Sequence, residues 1–164
     1  MIICGVDPGT RHTGYGFVKR VGNRIHRLAS GTIHTDAKAP METRLLAIRT
    51  ELSTLLTACP PEIGAVEDVF FSKNAASSLK LGQVRGVILV TLAEREIQVK
   101  SFPPALVKRS VVGSGRAAKS QIQQVVRAIL GLKQVPAEDE ADALAIAICA
   151  ANASRIPAMP PSRP

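Results

Sequence analysis

Four carboxylates stand out by their position along the chain: Asp7, Glu67, Asp139 and Asp142. Asp7 ends the apolar run Ile2-Ile3-Cys4-Gly5-Val6 and is followed at once by Pro8-Gly9. Glu67 ends a second run of the same kind, Ile63-Gly64-Ala65-Val66. Asp139 and Asp142 are three residues apart at the head of an apolar stretch, so in a helix both lie on one face. Carboxylates packed together raise one another's pKa unless a cation neutralises them. Hard oxygen ligands of this kind suit Mg²⁺ or Mn²⁺. Four of them facing a phosphate would make a two-metal site for in-line phosphodiester displacement, one ion activating water and the other stabilising the leaving oxygen. Each acid also has an ordinary role. Asp7 can serve as a turn former before Pro-Gly, and acids at 138–140 suit a helix N-terminus, with Asp139 as its cap. That role does not extend to Asp142, one turn inside.

The elements that would position these acids can be read in order. Residues 2–6 are apolar without alternation, as in a strand buried on both faces. Residues 13–18 and 25–33 complete a three-stranded antiparallel meander, with a turn at 21–24 and with Gly14 and Gly16 allowing close backbone approach. Leu45, Leu46, Ile48, Leu52, Leu55 and Leu56 recur at helical spacing over 39–56, and Cys59-Pro60-Pro61 ends that helix. Strand 63–67 follows, then a long helix over 74–93 with small residues along one side, then strand 97–99. A short helix through Leu106, Val107 and Val111 precedes a Gly-rich basic loop at 112–116. A helix over 119–130 closes on Gly131. The last helix, about 139–151, is apolar nearly all round, so it packs inside. His12 reads as a turn residue, and Ser114 lacks the pattern of a nucleophilic serine. The expected architecture is α/β: a mixed five-stranded sheet of antiparallel meander plus parallel strands, flanked by helices, in the ribonuclease H-like order. Residues 1–154 form one domain, and the Pro-rich tail 155–164 is expected to be disordered.

Charge is distributed unevenly. The whole chain carries +8, and residues 68–133 account for it, with eleven Lys/Arg against three acids. A basic middle between neutral flanks suits a polyanion-binding face. No apolar run approaches the length of a transmembrane helix, and the first residues lack the basic leader of a signal peptide. Cys4, Cys59 and Cys149 stand in apolar surroundings at no metal-ligand spacing, as in a protein of a reducing cytoplasm.

Four stretches carry a resemblance. Gly5-Val6-Asp7-Pro8-Gly9-Thr10 with Thr13-Gly14-Tyr15-Gly16 is the first, and Glu67-Asp68-Val69-Phe70-Phe71-Ser72-Lys73-Asn74 the second. Leu79-Lys80-Leu81-Gly82-Gln83-Val84-Arg85-Gly86 and Asp139-Glu140-Ala141-Asp142-Ala143-Leu144-Ala145 complete the set. In this order they resemble the RuvC family of Holliday junction resolvases, from residue 2 to about 152. The resemblance implies a bacterial, cytoplasmic, homodimeric Mg²⁺-dependent endonuclease. Such an enzyme nicks opposing strands of a four-way DNA junction symmetrically and works with RuvA and RuvB. It implies metal-binding catalytic roles for Asp7, Glu67, Asp139 and Asp142. It implies base stacking by Phe70, with Phe71 the other candidate, and DNA-linked roles for Lys108 and Lys119. Lys73, beside the stacking ring, and Arg116, in the basic loop, are further expected DNA contacts. Helix 74–93 matches the family's dimer-forming helix.

Three other readings differ in class. A junction-binding module of the same fold without nuclease chemistry would carry the basic face but release no nicked product. An actin-like kinase half shares the opening acid and Gly-Thr turn but needs a second domain that this length does not hold. A related nuclease acting on structured RNA would share the acids and the charge.

Overall fold

The computed structural model describes residues 1–68, 74–114 and 118–154. Strand β1 (Ile2–Asp7) pairs antiparallel with β2 (His12–Val21), which pairs antiparallel with β3 (Arg24–His34). The β2–β3 hairpin turns on Gly22 and Asn23, with Gly22 at φ 59, the left-handed conformation that glycine adopts freely. Helix α1 (Met41–Ala58) returns the chain to β4 (Ile63–Glu67), which lies parallel to β1. Helix α2 (Ala75–Ala93) leads to β5 (Gln98–Phe102), parallel to β4. The sheet order is β3-β2-β1-β4-β5, so β1 and β4 are interior. Helices α3 (Pro104–Val112), α4 (Lys119–Leu130) and α5 (Glu138–Ala153) complete the described elements.

Local chemistry explains the boundaries. The Asn74 side chain accepts from the Ser77 N–H at 3.2 Å and caps α2. Pro104 opens α3 where its missing N–H does no harm. Gly113 and Gly131 end α3 and α4 in the left-handed conformation. Strand β5 runs three residues past the expected end, because Ser101 pairs with Val66 and the buried Phe102 pairs with Glu67.

Two cores lie on opposite faces of the sheet. Cys4, Val6, Phe17, Ile33 and Val66 meet α1 and α2 on one face. Ile3, Val18, Ile63 and Ala65 meet α3, α4 and α5 on the other. Ten residues of α5 are buried, including every position from Ala143 to Ala151, as its all-round apolarity requires. Helix α2 buries Val84, Ile88, Thr91 and Leu92 and turns a second apolar face outward. Leu79 and Val90 are 68% and 55% exposed there, and methyl groups added to Gly82 or Gly86 would meet nothing within 4 Å. Among the described residues no helix is long and apolar enough to cross a membrane.

A candidate metal-binding carboxylate site

Asp7 and Glu67 are the last residues of the two interior parallel strands. The β1–β4 register runs from Ile3↔Ile63 to Val6↔Val66, so each acid directly follows the last residue that its strand pairs in that ladder. Strand alternation puts both on the face of Ile3, Ile63 and Ala65, which is the face α5 covers. Glycines let that helix approach. A methyl group on Gly5 would come 2.2 Å from the Ala143 carbonyl oxygen, and one on Gly14 2.0 Å from that of Asp139. Gly14 is the β2 partner of Asp7. The first turn of α5 therefore rests on the glycine opposite Asp7, and Asp139 and Asp142 arrive at the same strand ends.

The turn after Asp7 is held from three sides. Thr13 Oγ1 donates to the Gly9 carbonyl at 2.8 Å, and Thr35 Oγ1 to the Thr10 carbonyl at 2.7 Å. The Arg44 guanidinium on α1 also donates to the Thr10 carbonyl and reaches Thr35 Oγ1 at 3.3 Å. Turn former and site residue are thus compatible roles for Asp7. His12 is not a turn residue as expected. It opens β2, with its Nδ1 3.0 Å from His34 Nδ1 on β3, because the strand starts one residue earlier than its apolar pattern. Nor does Asp139 cap α5. The helix starts at Glu138, which makes Ala137 the N-cap, and Glu140 reaches back to accept from the Ala137 N–H at 3.3 Å. Asp139 is left one position inside.

Electrostatics show that the acids share one environment. Burial, then the charges of Glu67, Asp142 and Asp139, push the Asp7 carboxyl up to about 8, against an opposing pull from Lys119. Burial and the charge of Asp142 push Glu67 up to about 7, with Asp68 adding and with Lys108 and Lys119 opposing. Asp142 is raised by burial and by Glu138 and Asp139, and lowered by Lys119 and Lys108. Lys119, the first residue of α4, is bonded to Glu138, and that hydrogen bond raises its own pKa. Among the described residues no three His, Cys, Asp or Glu side chains are already gathered tightly enough to hold an ion. The carboxylates stand within coulombic reach of one another without closing up, as mutual repulsion favours. Acid-only, with Asp7, Glu67 and Asp142 partly buried and raised in pKa, this donor set fits a hard divalent cation.

Of the expected site residues, Asp7, Glu67, Asp139, Asp142, Lys108 and Lys119 converge. Phe70, Lys73 and Arg116, and with them Phe71, lie outside the described residues. One neighbour was not singled out for a role in the sequence: Arg85, whose guanidinium binds the Glu67 carbonyl and Asp68. Its sequence signals are its place in the stretch Leu79 to Gly86 and its standing as a lone cation on a helix side otherwise small and apolar.

A β3-β2-β1-β4-β5 mixed sheet with helices on both faces is the ribonuclease H-like architecture, and here it carries acids at the ends of two interior strands. The family model for crossover junction endodeoxyribonuclease RuvC matches residues 3–150. Crossover junction endodeoxyribonuclease RuvC of Citrifermentans bemidjiense is 46% identical over 159 residues, which is 97% of either chain. That of Geobacter sp. strain M21 is 45% identical over the same shares. The structure of T. thermophilus RuvC in complex with a Holliday junction substrate matches with a TM-score of 0.89 at 35% identity, over 94% of this chain and 95% of that one. The chain belongs to the RuvC family of crossover junction endodeoxyribonucleases.

Proposed function

We propose that this chain resolves four-way DNA junctions as a homodimeric, Mg²⁺-dependent endonuclease that nicks two opposing strands symmetrically. The observation that supports this most is the convergence of Asp7, Glu67 and the Asp139/Asp142 pair from three separate elements, with Asp7 raised by the charges of the other three. These four are the metal-binding catalytic residues. Mg²⁺, two ions per site with Mn²⁺ as a substitute, would supply an activated water and charge stabilisation at the leaving oxygen.

The chain's own residues do the rest. Two interior strands fix Asp7 and Glu67, and a buried helix fixes Asp139 and Asp142, so the carboxylates keep their relative geometry as a phosphate enters. Lys108 and Lys119 offset the acids' repulsion and bind phosphate oxygens. In the DNA-bound state Lys119 exchanges its bond to Glu138 for one to the DNA. Phe70 stacks on a base near the junction centre, and Lys73 and Arg116 bind the backbone. The +8 carried by residues 68–133 makes binding strongly salt-dependent.

A two-fold dimer matches a junction's two-fold symmetry and gives paired nicks. The outward face of α2, with Leu79, Gly82, Gly86 and Val90, pairs with a second copy. Residues 1–154 are the nuclease domain, the bacterial cytoplasm is its compartment, and RuvA and RuvB are its partners in junction processing.

The test is incubation of the protein with a labelled four-way junction, a linear duplex of the same sequence and structured RNA, in Mg²⁺ and in EDTA. Paired nicks in the junction with Mg²⁺ alone support the reading. Tight junction binding without a nick in Mg²⁺ or Mn²⁺ would favour a non-catalytic binding module.

A further inference from the structure

The guanidinium of Arg85, in the third turn of α2, bonds two other pieces of the chain, the end of β4 and β5. Its Nε donates to the Glu67 carbonyl oxygen at 3.2 Å. Its Nη2 donates to Asp68 Oδ1 at 2.9 Å and to Ser101 Oγ at 2.7 Å. Glu67 is the last residue of β4, Ser101 belongs to β5, and Asp68 is the first residue after β4. The Asp68 N–H is itself bonded to the Phe102 carbonyl at 3.0 Å, so β5 holds this peptide from the other side. Arg85 therefore ties the strand end that carries a site carboxylate to the helix with the outward apolar face.

An Arg–Asp pair with side chains 23% and 37% exposed contributes little by its charge alone. What Arg85 supplies is geometry. A planar fork donates from two fixed nitrogens to a backbone carbonyl, a carboxylate and a hydroxyl together, whereas the three donors of a lysine sit on one flexible ammonium. The β1–β4 ladder stops at Val66, so on that side the peptide after Glu67 has no strand pairing, and the Phe102 carbonyl and Arg85 are what hold it.

We infer that Arg85 is a positioning residue: it fixes the backbone at Glu67 and so aims that carboxylate at the metal. This rests on Glu67 being a metal ligand, as proposed above. Arg85→Lys keeps the charge and loses the fork, whereas Arg85→Met loses both.

The experiment compares parent, Arg85→Lys, Arg85→Met and Asp68→Ala in four measurements. They are Mn²⁺ affinity of the free protein by calorimetry, junction nicking at saturating Mg²⁺, junction affinity with its salt dependence in EDTA, and thermal melting. Arg85→Lys and Arg85→Met should each weaken Mn²⁺ binding and slow nicking by about 10- to 100-fold, the range for groups that orient metal ligands. Junction affinity and salt slope should stay at parent values, and Asp68→Ala should fall between. If Arg85→Met does not fold, the lysine variant and Asp68→Ala carry the comparison. Arg85→Lys with parent Mn²⁺ affinity and parent nicking would overturn the inference. So would a loss of junction affinity and salt slope in Arg85→Met that Arg85→Lys restores, since Arg85 would then be a phosphate contact. A parent that neither binds Mn²⁺ nor nicks would instead overturn the reading of the carboxylate site.

Discussion

Gly14 and Asp139 are in backbone contact: a methyl group at Gly14 would come 2.0 Å from the Asp139 carbonyl oxygen and 2.7 Å from its carbon. Backbone cannot swing aside as a flexible side chain does, so a Gly14→Ala variant must lift the first turn of α5. Since Gly14 pairs with Asp7, that shift separates Asp139 and Asp142 from Asp7. Gly14→Ala is expected to lower stability by about 1–3 kcal/mol, the usual effect of overpacking. It should lower nicking by far more than its loss of stability explains. Melting curves and junction nicking on the folded fraction check this, and parent-level nicking would show that α5 does not need that seat.

The raised carboxyls give the protein without metal a definite pH dependence. Asp7 is at about 8 against an ordinary 3.8, and Glu67 at about 7 against 4.5. Such groups hold more protons folded than unfolded. Their contribution to stability is fully present below the ordinary values and is lost as pH rises through the folded ones. In EDTA the melting temperature should therefore fall between about pH 4 and pH 8, by roughly 5 °C or more for a chain of this length. Mg²⁺ should restore more stability at pH 8 than at pH 5, because its ligands must be deprotonated. Asp7→Asn should melt higher than the parent at pH 8 in EDTA. A flat profile, or a lower-melting Asn variant, would contradict the electrostatics.

Lys119 lowers the pKa of Asp7, Glu67 and Asp142. In Lys119→Met those carboxyls should rise further, so the onset of nicking with rising pH should move to higher pH. A pH–rate profile at fixed Mg²⁺ reads the shift. A slower enzyme with an unmoved onset would leave Lys119 as a DNA contact alone.

The outward face of α2 sets up a contrast between monomer and dimer. Within one chain, Gly82→Ala and Gly86→Ala meet nothing, and replacing glycine in a helix should stabilise the fold by up to about 1 kcal/mol each. If that face pairs with a second copy, Leu79→Glu should convert a dimeric mass to a monomeric one in sedimentation and abolish paired nicking. Unchanged mass in Leu79→Glu would move the interface elsewhere.

Much of this architecture was legible because strong patterns carry it. The buried runs ending in Asp7 and Glu67 announce interior parallel strands, and the unbroken apolar stretch of α5 after Asp142 announces a central helix. Gly14 and Gly16 were readable as points of close approach, though not which helix approaches. The pairing of β5 through Phe102 was not legible, since Pro103 hides where the ladder stops. Beside its site role, Asp139 has a capping role open in the sequence, because acids at a helix start usually serve there; the placement of Ala137 and Glu140 removes the cap. Arg85 was invisible as a site neighbour because its partners are a backbone carbonyl 18 residues away and a serine 16 residues away, which no spacing rule connects.

The central claim is that Asp7 is a catalytic metal ligand, and Asp7→Asn tests it most directly, since it removes one charge and almost no volume. Nicking of a labelled four-way junction in Mg²⁺ should fall to background, while junction affinity in EDTA stays close to that of the parent. Parent-rate nicking by Asp7→Asn would contradict the account.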